Sequence, residues 1–389
     1  MNSAYSGPST LDLLARLIAF NTVSDRSNLD MAAYIEDLVS PYNGIVRRIP
    51  SPDGGKTNLL ITFGPMVEGG IVLSGHMDVV PVDGQNWLTD PFLMSARNGR
   101  LYGRGCVDMK GFLAVSLSVA MRMAKARLRQ PLHLAFSYDE EVGCFGAHLL
   151  IDHLMRALPT PRAVIVGEPS NMNVVTAHKS AHDFQTVVKG REAHSSLPQL
   201  GANAIYAAGR LLTYLDELGD RLKEQSTEDM AFVTPYATIS AGLIQGGVAG
   251  NVIPSLCKFS WEVRAIAHGQ AEQISADFDD FCRTRVLPRL AATSTDCGIA
   301  TTQLCGIASL EPEIGGVAEK LMMGMTGDGQ THSMPFCTEA GLFQARGLST
   351  VVCGPGDIAQ AHQPNEFIEL SQLQNCESVL QRLVSLLAA

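Results

Sequence analysis

The chain of 389 residues has few aromatics (6%), few charged residues (17%) and no long unbroken apolar segment. Its longest apolar runs, such as Ile71 to Leu73 and Leu383 to Ala389, are short or punctuated by polar residues, so no bilayer span and no membrane partner are expected. A basic excess is missing as well. Lys+Arg 29 against Asp+Glu 39 gives a net charge of −10, which argues against a nucleic-acid partner. The opening residues Met1-Asn2-Ser3-Ala4 lack a basic and an apolar leader region, and the expected compartment is the cytoplasm. Nine cysteines form an odd set with no CxxC pair, so neither a disulfide framework nor a thiolate zinc site is expected. What the chain does have is 46% hydrophobic residues over a length beyond the usual ceiling for one core, which makes two domains the expectation.

Periodicity divides the chain accordingly. Residues 9 to 40 read as helix, from Leu11, Leu14, Leu17 and Ile18 to Met31, Ile35 and Leu38. Ile71 to His76, Pro131 to Tyr138, Ala163 to Gly167 and Thr350 to Gly354 read as buried strands, and Gly111 to Leu128 as a helix between two of them. Strands alternating with helices predict an α/β sheet with parallel character. Between them, strands at Ala181–Gly190, Tyr236–Leu243, Leu256–Arg264 and Cys297–Leu304, with helices at Asn203–Leu218 and Gln270–Val286, follow a βαββαβ order. That order is the ferredoxin-like α+β pattern. The expected organisation is a discontinuous first domain, 1–178 and 304–389, with a second domain inserted at 179–303.

Ionisable residues collect where the first domain's strands end. His76-Met77-Asp78 follows one strand, Asp139-Glu140-Glu141 the next, Glu168-Pro169 a third, and the loop of Ala361 to Glu366 the fourth. Open α/β sheets bind ligands outside the carboxyl ends of their strands. His76, Asp108, Glu141, Glu168 and His362 make a nitrogen/oxygen set that suits zinc or cobalt better than magnesium or calcium. Five such residues exceed one catalytic zinc site but can serve two metals if a carboxylate bridges. Asp108 stands in the glycine-rich Gly103 to Gly111 loop, where it can approach both. Alone, His76 could simply cap its strand, Glu140-Glu141 could be a solvated pair, and Gly103-Arg104-Gly105 lacks any phosphate-loop spacing. Their occurrence together, in order, on one sheet favours a site.

The segments Ser74 to Pro81, Gly103 to Gly111, Asp139 to Gly143, Gly167-Glu168-Pro169 and Ala361 to Glu366 resemble the dimetal deacylase family of acetylornithine deacetylases, succinyl-diaminopimelate desuccinylases, aminoacylases and glutamate carboxypeptidases. The resemblance covers nearly the whole chain. It implies a zinc-peptidase-like sheet with flanking helices, plus an inserted ferredoxin-like lid and dimerisation domain. By the same resemblance His76 and Glu168 would hold one metal and Glu141 and His362 the other, with Asp108 bridging; the metals would be zinc, with cobalt able to substitute. Asp78 would accept the second ring N–H of His76, and Glu140 would be the general base for attack of a metal-bridging hydroxide on an amide. His194 would stabilise the oxyanion from a partner subunit, and Asn251 and Arg264 would bind the substrate. The implied partners are a small N-acyl amino acid and a second copy in a homodimer. Ala177-His178-Lys179, Thr338 to Gly341 and Gly354 to Asp357 look most like the acetylornithine deacetylase branch, which implies N2-acetyl-L-ornithine as substrate.

Overall fold

The computed structural model describes residues 7–124, 126–226 and 232–388. It divides into two compact units: Met1–Ala177 with Pro312–Ser333 and Thr338–Ala389, and His178–Glu311 with Met334–Cys337. No described helix is long and apolar enough to cross a membrane.

In the first unit the strands, in spatial order, are Ile45–Pro50, Thr57–Phe63, Leu132–Ser137, Ile71–His76, Ala163–Pro169, Thr350–Gly354, Val175–His178 and His332–Met334. The four from Leu132–Ser137 to Thr350–Gly354 run parallel, while Ile45–Pro50 and Thr57–Phe63 join antiparallel at one side. All residues of Thr57–Phe63, Ile71–His76, Leu132–Ser137, Ala163–Pro169 and Thr350–Gly354 are buried. Burial on both faces explains why these strands read as apolar runs rather than as alternation. Helix Lys110–Met123 is buried along almost its whole length and packs against the last helix, Leu370–Ser385. A side chain at Gly167 would meet the Phe112 ring at 2.0 Å, so only glycine lets that helix lie close to the strand carrying Glu168. Parallel strands bring their carboxyl ends to one edge, and His76 and Glu168 leave the sheet there.

The second unit has a four-stranded antiparallel sheet in the order Thr238–Gly246, Leu256–Arg264, Ala181–Lys189, Gly298–Ile307, with helices Ala204–Glu224 and Gln270–Phe281. The ferredoxin-like succession of elements is thus the observed one. Phe184, Phe259, Trp261 and Phe278 form its core, and the Trp261 indole N–H reaches Thr186 Oγ1 at 3.0 Å.

Two local expectations change. Residues 9 to 40 form two helices, Thr10–Ala19 and Leu29–Val39, because the segment between them ties to a strand end. There Thr22 Oγ1 donates to the Met77 carbonyl at 2.6 Å, and Ser24 Oγ to Asp78 Oδ2 at 2.7 Å. The last strand of the second unit runs to Ile307, paired with Ala181, which carries that unit beyond 303.

His133, in the middle of the large sheet, is a structural group. Its Nδ1 lies 2.9 Å from Thr62 Oγ1, and burial, with the Arg47 charge adding, pushes it down to about 4. An unfolded histidine titrates near 6.5, so as pH falls the unfolded chain takes up this proton first and stability declines from about pH 6.5 to about 4. Between pH 7.5 and 5 this group should cost about 2 kcal/mol at 1.36 kcal/mol per pKa unit. Urea denaturation of His133→Gln should show a correspondingly shallower pH dependence than wild type; identical slopes would remove His133 as the cause.

Candidate active site

Five residues from four strand-end segments and one helix-start loop converge in the first unit. His76 ends its strand, Glu168 stands near the end of Ala163–Pro169, and Asp108 lies just before helix Lys110–Met123. Glu141 follows strand Leu132–Ser137, and His362 lies in the loop beyond Thr350–Gly354. His76, Asp108 and Glu168 form one cluster and Asp108, Glu141 and His362 another, with one nitrogen or oxygen from each residue lying within 4.8 Å of the others in its cluster. Asp108 divides its oxygens between them. Oδ1 is 2.9 Å from His76 Nε2, and Oδ2 is 3.3 Å from His362 Nε2. His76 Nε2 is also 3.4 Å from Glu168 Oε1, and His362 Nε2 is 3.0 Å from Glu141 Oε2.

The loops that present these groups are locally forced. Asp139, just before the Glu140-Glu141 pair, has φ 53°, and His362 has φ 61°. Left-handed backbone at non-glycine residues persists only where surrounding bonds over-determine it. For the Glu140-Glu141 turn those bonds come from Asp78, whose carboxylate accepts the N–H of Glu140 at 3.1 Å and of Glu141 at 3.2 Å.

This corrects the expected part of Asp78. The His76 Nδ1–H donates to the backbone carbonyl of Asp78 at 2.9 Å, while the Asp78 carboxylate stands 3.7 Å away. The side chain is already committed to Ser24 and to the two glutamate N–H groups. A carbonyl can only accept, so the tautomer of the neutral ring is set all the same, with the Nε2 lone pair turned toward Asp108 and Glu168.

The electrostatics are those of crowded carboxylates. Desolvation and neighbouring Asp108 push Glu141 and Glu168 each up to about 7. Glu140 is raised well above its ordinary value by desolvation, with Glu168 and Glu141 adding and His76 opposing. Burial raises Asp108 too, but hydrogen bonds to His362 and His76 outweigh it and hold it low. His362 is held up to about 10 by Asp108 and Glu141. Burial pulls His76 down, yet Asp108 and Glu168 leave it well above its ordinary value.

Such a set fits divalent metal. Glu141 Oε1 is buried with no hydrogen-bond partner, and the nitrogen/oxygen donors are of the kind that zinc accepts. Glu140 stands beside the pair of clusters, and Cys144 Sγ donates to its Oε1 at 3.3 Å.

The other three expected residues belong to the second unit. His194 is exposed, with Nδ1 2.7 Å from Ser196 Oγ, and it bridges Val252. The neighbouring Ser195 N–H donates to the Asn251 carbonyl at 3.0 Å, so the His194 and Asn251 loops lie side by side. Arg264 is partly exposed and paired with Glu262 of its own strand, Nε at 3.2 Å and Nη2 at 2.9 Å from Oε2.

Sequence reasoning gave no part to three buried groups beside the clusters. Glu339 accepts Ser74 Oγ at 2.6 Å and Ser137 Oγ at 2.8 Å, from the two strands that lead to His76 and to the glutamate turn. Arg104 and Glu366 form a fully buried ion pair at 2.8 Å. All three lay inside or next to recognised segments, but nothing in their spacing says where their side chains point.

The mixed sheet with its strand-end clusters and the ferredoxin-like unit have the architecture of a peptidase-like hydrolase, and the chain belongs to the peptidase family M20/M25/M40, whose model matches residues 72–386. It is 33% identical, over 97% of both chains, to the acetylornithine deacetylase of Myxococcus xanthus. Among solved structures it resembles the M20 family metallo-carboxypeptidase Sso-CP2 of Sulfolobus solfataricus, with TM-score 0.73, 16% identity and coverage of 98% and 99%. It also resembles the Bacillus subtilis YXEP protein, described as a dinuclear metal binding peptidase, with TM-score 0.66, 14% identity and 97% coverage of each chain.

Asp108 and Glu168 favour the protonated form of His76, Asp108 and Glu141 that of His362, and a metal would compete with those protons. Adding zinc to chelator-stripped protein in weak buffer should therefore release protons, and zinc affinity should be lower at pH 6 than at pH 8. Binding without proton release, or affinity independent of pH, would contradict this arrangement.

Proposed function

We propose that the chain hydrolyses N2-acetyl-L-ornithine to L-ornithine and acetate, a step of arginine biosynthesis, with two zinc ions and in the cytoplasm. The observation that carries the hydrolytic reading is Asp108 dividing its oxygens between two imidazole–carboxylate clusters, with Glu140 alongside. The acetylornithine deacetylase of Myxococcus xanthus, similar over nearly the full length, supports the substrate.

In this reading His76 and Glu168 would hold one metal and Glu141 and His362 the other, with Asp108 serving both. Bound metals supply Lewis-acid activation of water and of the amide carbonyl. Glu140 takes the proton of the attacking water and returns it to the amine nitrogen as the C–N bond breaks. Its raised affinity for a proton suits it to both transfers near neutral pH. Asp78 holds the backbone of Glu140, so the base stays in place while its carboxylate changes charge.

Arg264 would exchange Glu262 for the substrate carboxylate, which a guanidinium grips with two parallel hydrogen bonds. Asn251 would also bind the substrate, and His194 would reach the oxyanion of a partner subunit's substrate. A homodimer is supported by strand Thr238–Gly246, a sheet edge whose Leu243 is 74% exposed and Ile244 55%. An unpaired apolar edge is a template for a second copy.

Glu140→Ala should keep its metal while turnover of acetylornithine falls by at least about 10²-fold. Wild type should prefer acetylornithine over succinyl-diaminopimelate and acetylmethionine; faster turnover of either would overturn the substrate. Sedimentation should give a dimer, and Leu243→Glu a monomer with much reduced turnover if His194 acts across the interface. A fully active wild-type monomer would end the shared-site reading.

A further inference from the structure

Glu366 is 1% exposed, and its two oxygens receive four donors from one loop. Oε2 accepts Arg104 Nη1 at 2.8 Å and the Gly105 N–H at 2.9 Å. Oε1 accepts the N–H of Val107 at 2.9 Å and of Asp108 at 3.2 Å. The Gly103 N–H meanwhile donates to the Glu366 carbonyl at 3.1 Å. Gly105, at φ +81°, turns the chain so that these amides converge on a single carboxylate.

Arg104, equally buried, extends the hold to two more segments. Nη2 donates to Gln85 Oε1 at 2.5 Å and Nη1 reaches the Gln363 carbonyl at 3.4 Å, while the guanidinium lies 5.1 Å from the Trp87 ring centre. Gln85 completes the circuit, its Nε2 donating to the carbonyl of His362 at 2.9 Å. One buried ion pair therefore joins the loops that carry Asp108 and His362. His76 and Glu168, by contrast, are set by paired sheet strands.

We propose that the Glu366–Arg104 pair is a positioning device for the metal position formed by Asp108, Glu141 and His362. It acts through the backbone on two of those three residues, but on only one, Asp108, of the cluster with His76 and Glu168. The two metal positions are thus unequally secured: one rests on the sheet, the other on a buried ion pair and its strap to Gln85. The inference rests on the dimetal reading above and adds the residues that make its two halves differ.

The test is zinc titration of chelator-stripped wild type, Glu366→Gln and Gln85→Ala, with thermal unfolding of the metal-free forms. Wild type should bind two zinc ions. Glu366→Gln should keep the tighter step and lose about 10- to 100-fold at the weaker one, the range seen when groups that orient metal ligands are removed. Gln85→Ala strikes the same network from its partly exposed end; it should weaken the same step several-fold with metal-free unfolding unchanged. Glu366→Gln leaves buried Arg104 short of a partner, and if it does not fold, Gln85→Ala alone decides. Two unchanged steps in the folded variants, or equal loss at both, would overturn the proposal even if activity fell. Wild type binding fewer than two zinc ions would overturn the dimetal reading itself.

Discussion

Three carboxylates and two imidazoles form two clusters that share Asp108 at one edge of a buried sheet, and much of the surrounding architecture holds them there. Isolated buried carboxylates are expensive, and neighbours of like charge make them more so. Glu140, Glu141 and Glu168 accordingly bind protons more readily than free glutamates. Asp108 escapes because both imidazoles point at it. Two divalent cations would bring this set the positive charge that its crowded carboxylates call for.

The fold answers the crowding with two kinds of support. Parallel strands deliver His76 and Glu168 directly, their backbones paired and their positions set by packing against helix Lys110–Met123. Asp108, Glu140, Glu141 and His362 stand on loops, where no ladder fixes them. Buried side chains take over that work. Asp78 gathers the N–H groups of the glutamate turn, and Glu366 those of the Asp108 loop. A carboxylate suits this task because it offers two acceptor oxygens and makes charge-assisted bonds to converging amides. Acidic residues thus play two opposite parts: Asp108, Glu141 and Glu168 gather in the clusters that could hold metal, while Asp78 and Glu366 serve as acceptors for backbone.

The five residues of the two clusters and the ferredoxin-like order of the second unit were legible in the sequence. Strand ends are marked by apolar runs that stop at ionisable residues, and such residues have few structural reasons to recur there. The βαββαβ succession is a matter of period and order, which survive without coordinates. The flanking hairpin Ile45–Pro50 and Thr57–Phe63 went unread, and residues 9 to 40 looked like one helical stretch. That stretch breaks where Thr22 and Ser24 bond to Met77 and Asp78, more than fifty residues away, and local periodicity carries no trace of such a bond.

The sequence by itself determined which chemical groups the site contains and which segments bring them, because residue type and strand order are written along the chain. Only the tertiary structure decided which atoms meet. It turns the carbonyl of Asp78, rather than its carboxylate, to the His76 ring, and gives each oxygen of Asp108 a different imidazole. It also places Glu366, 258 residues from Asp108, on that residue's backbone N–H. Hydrogen bonds are directional over fractions of an ångström, and a contact between distant segments is set by the path of every residue between them.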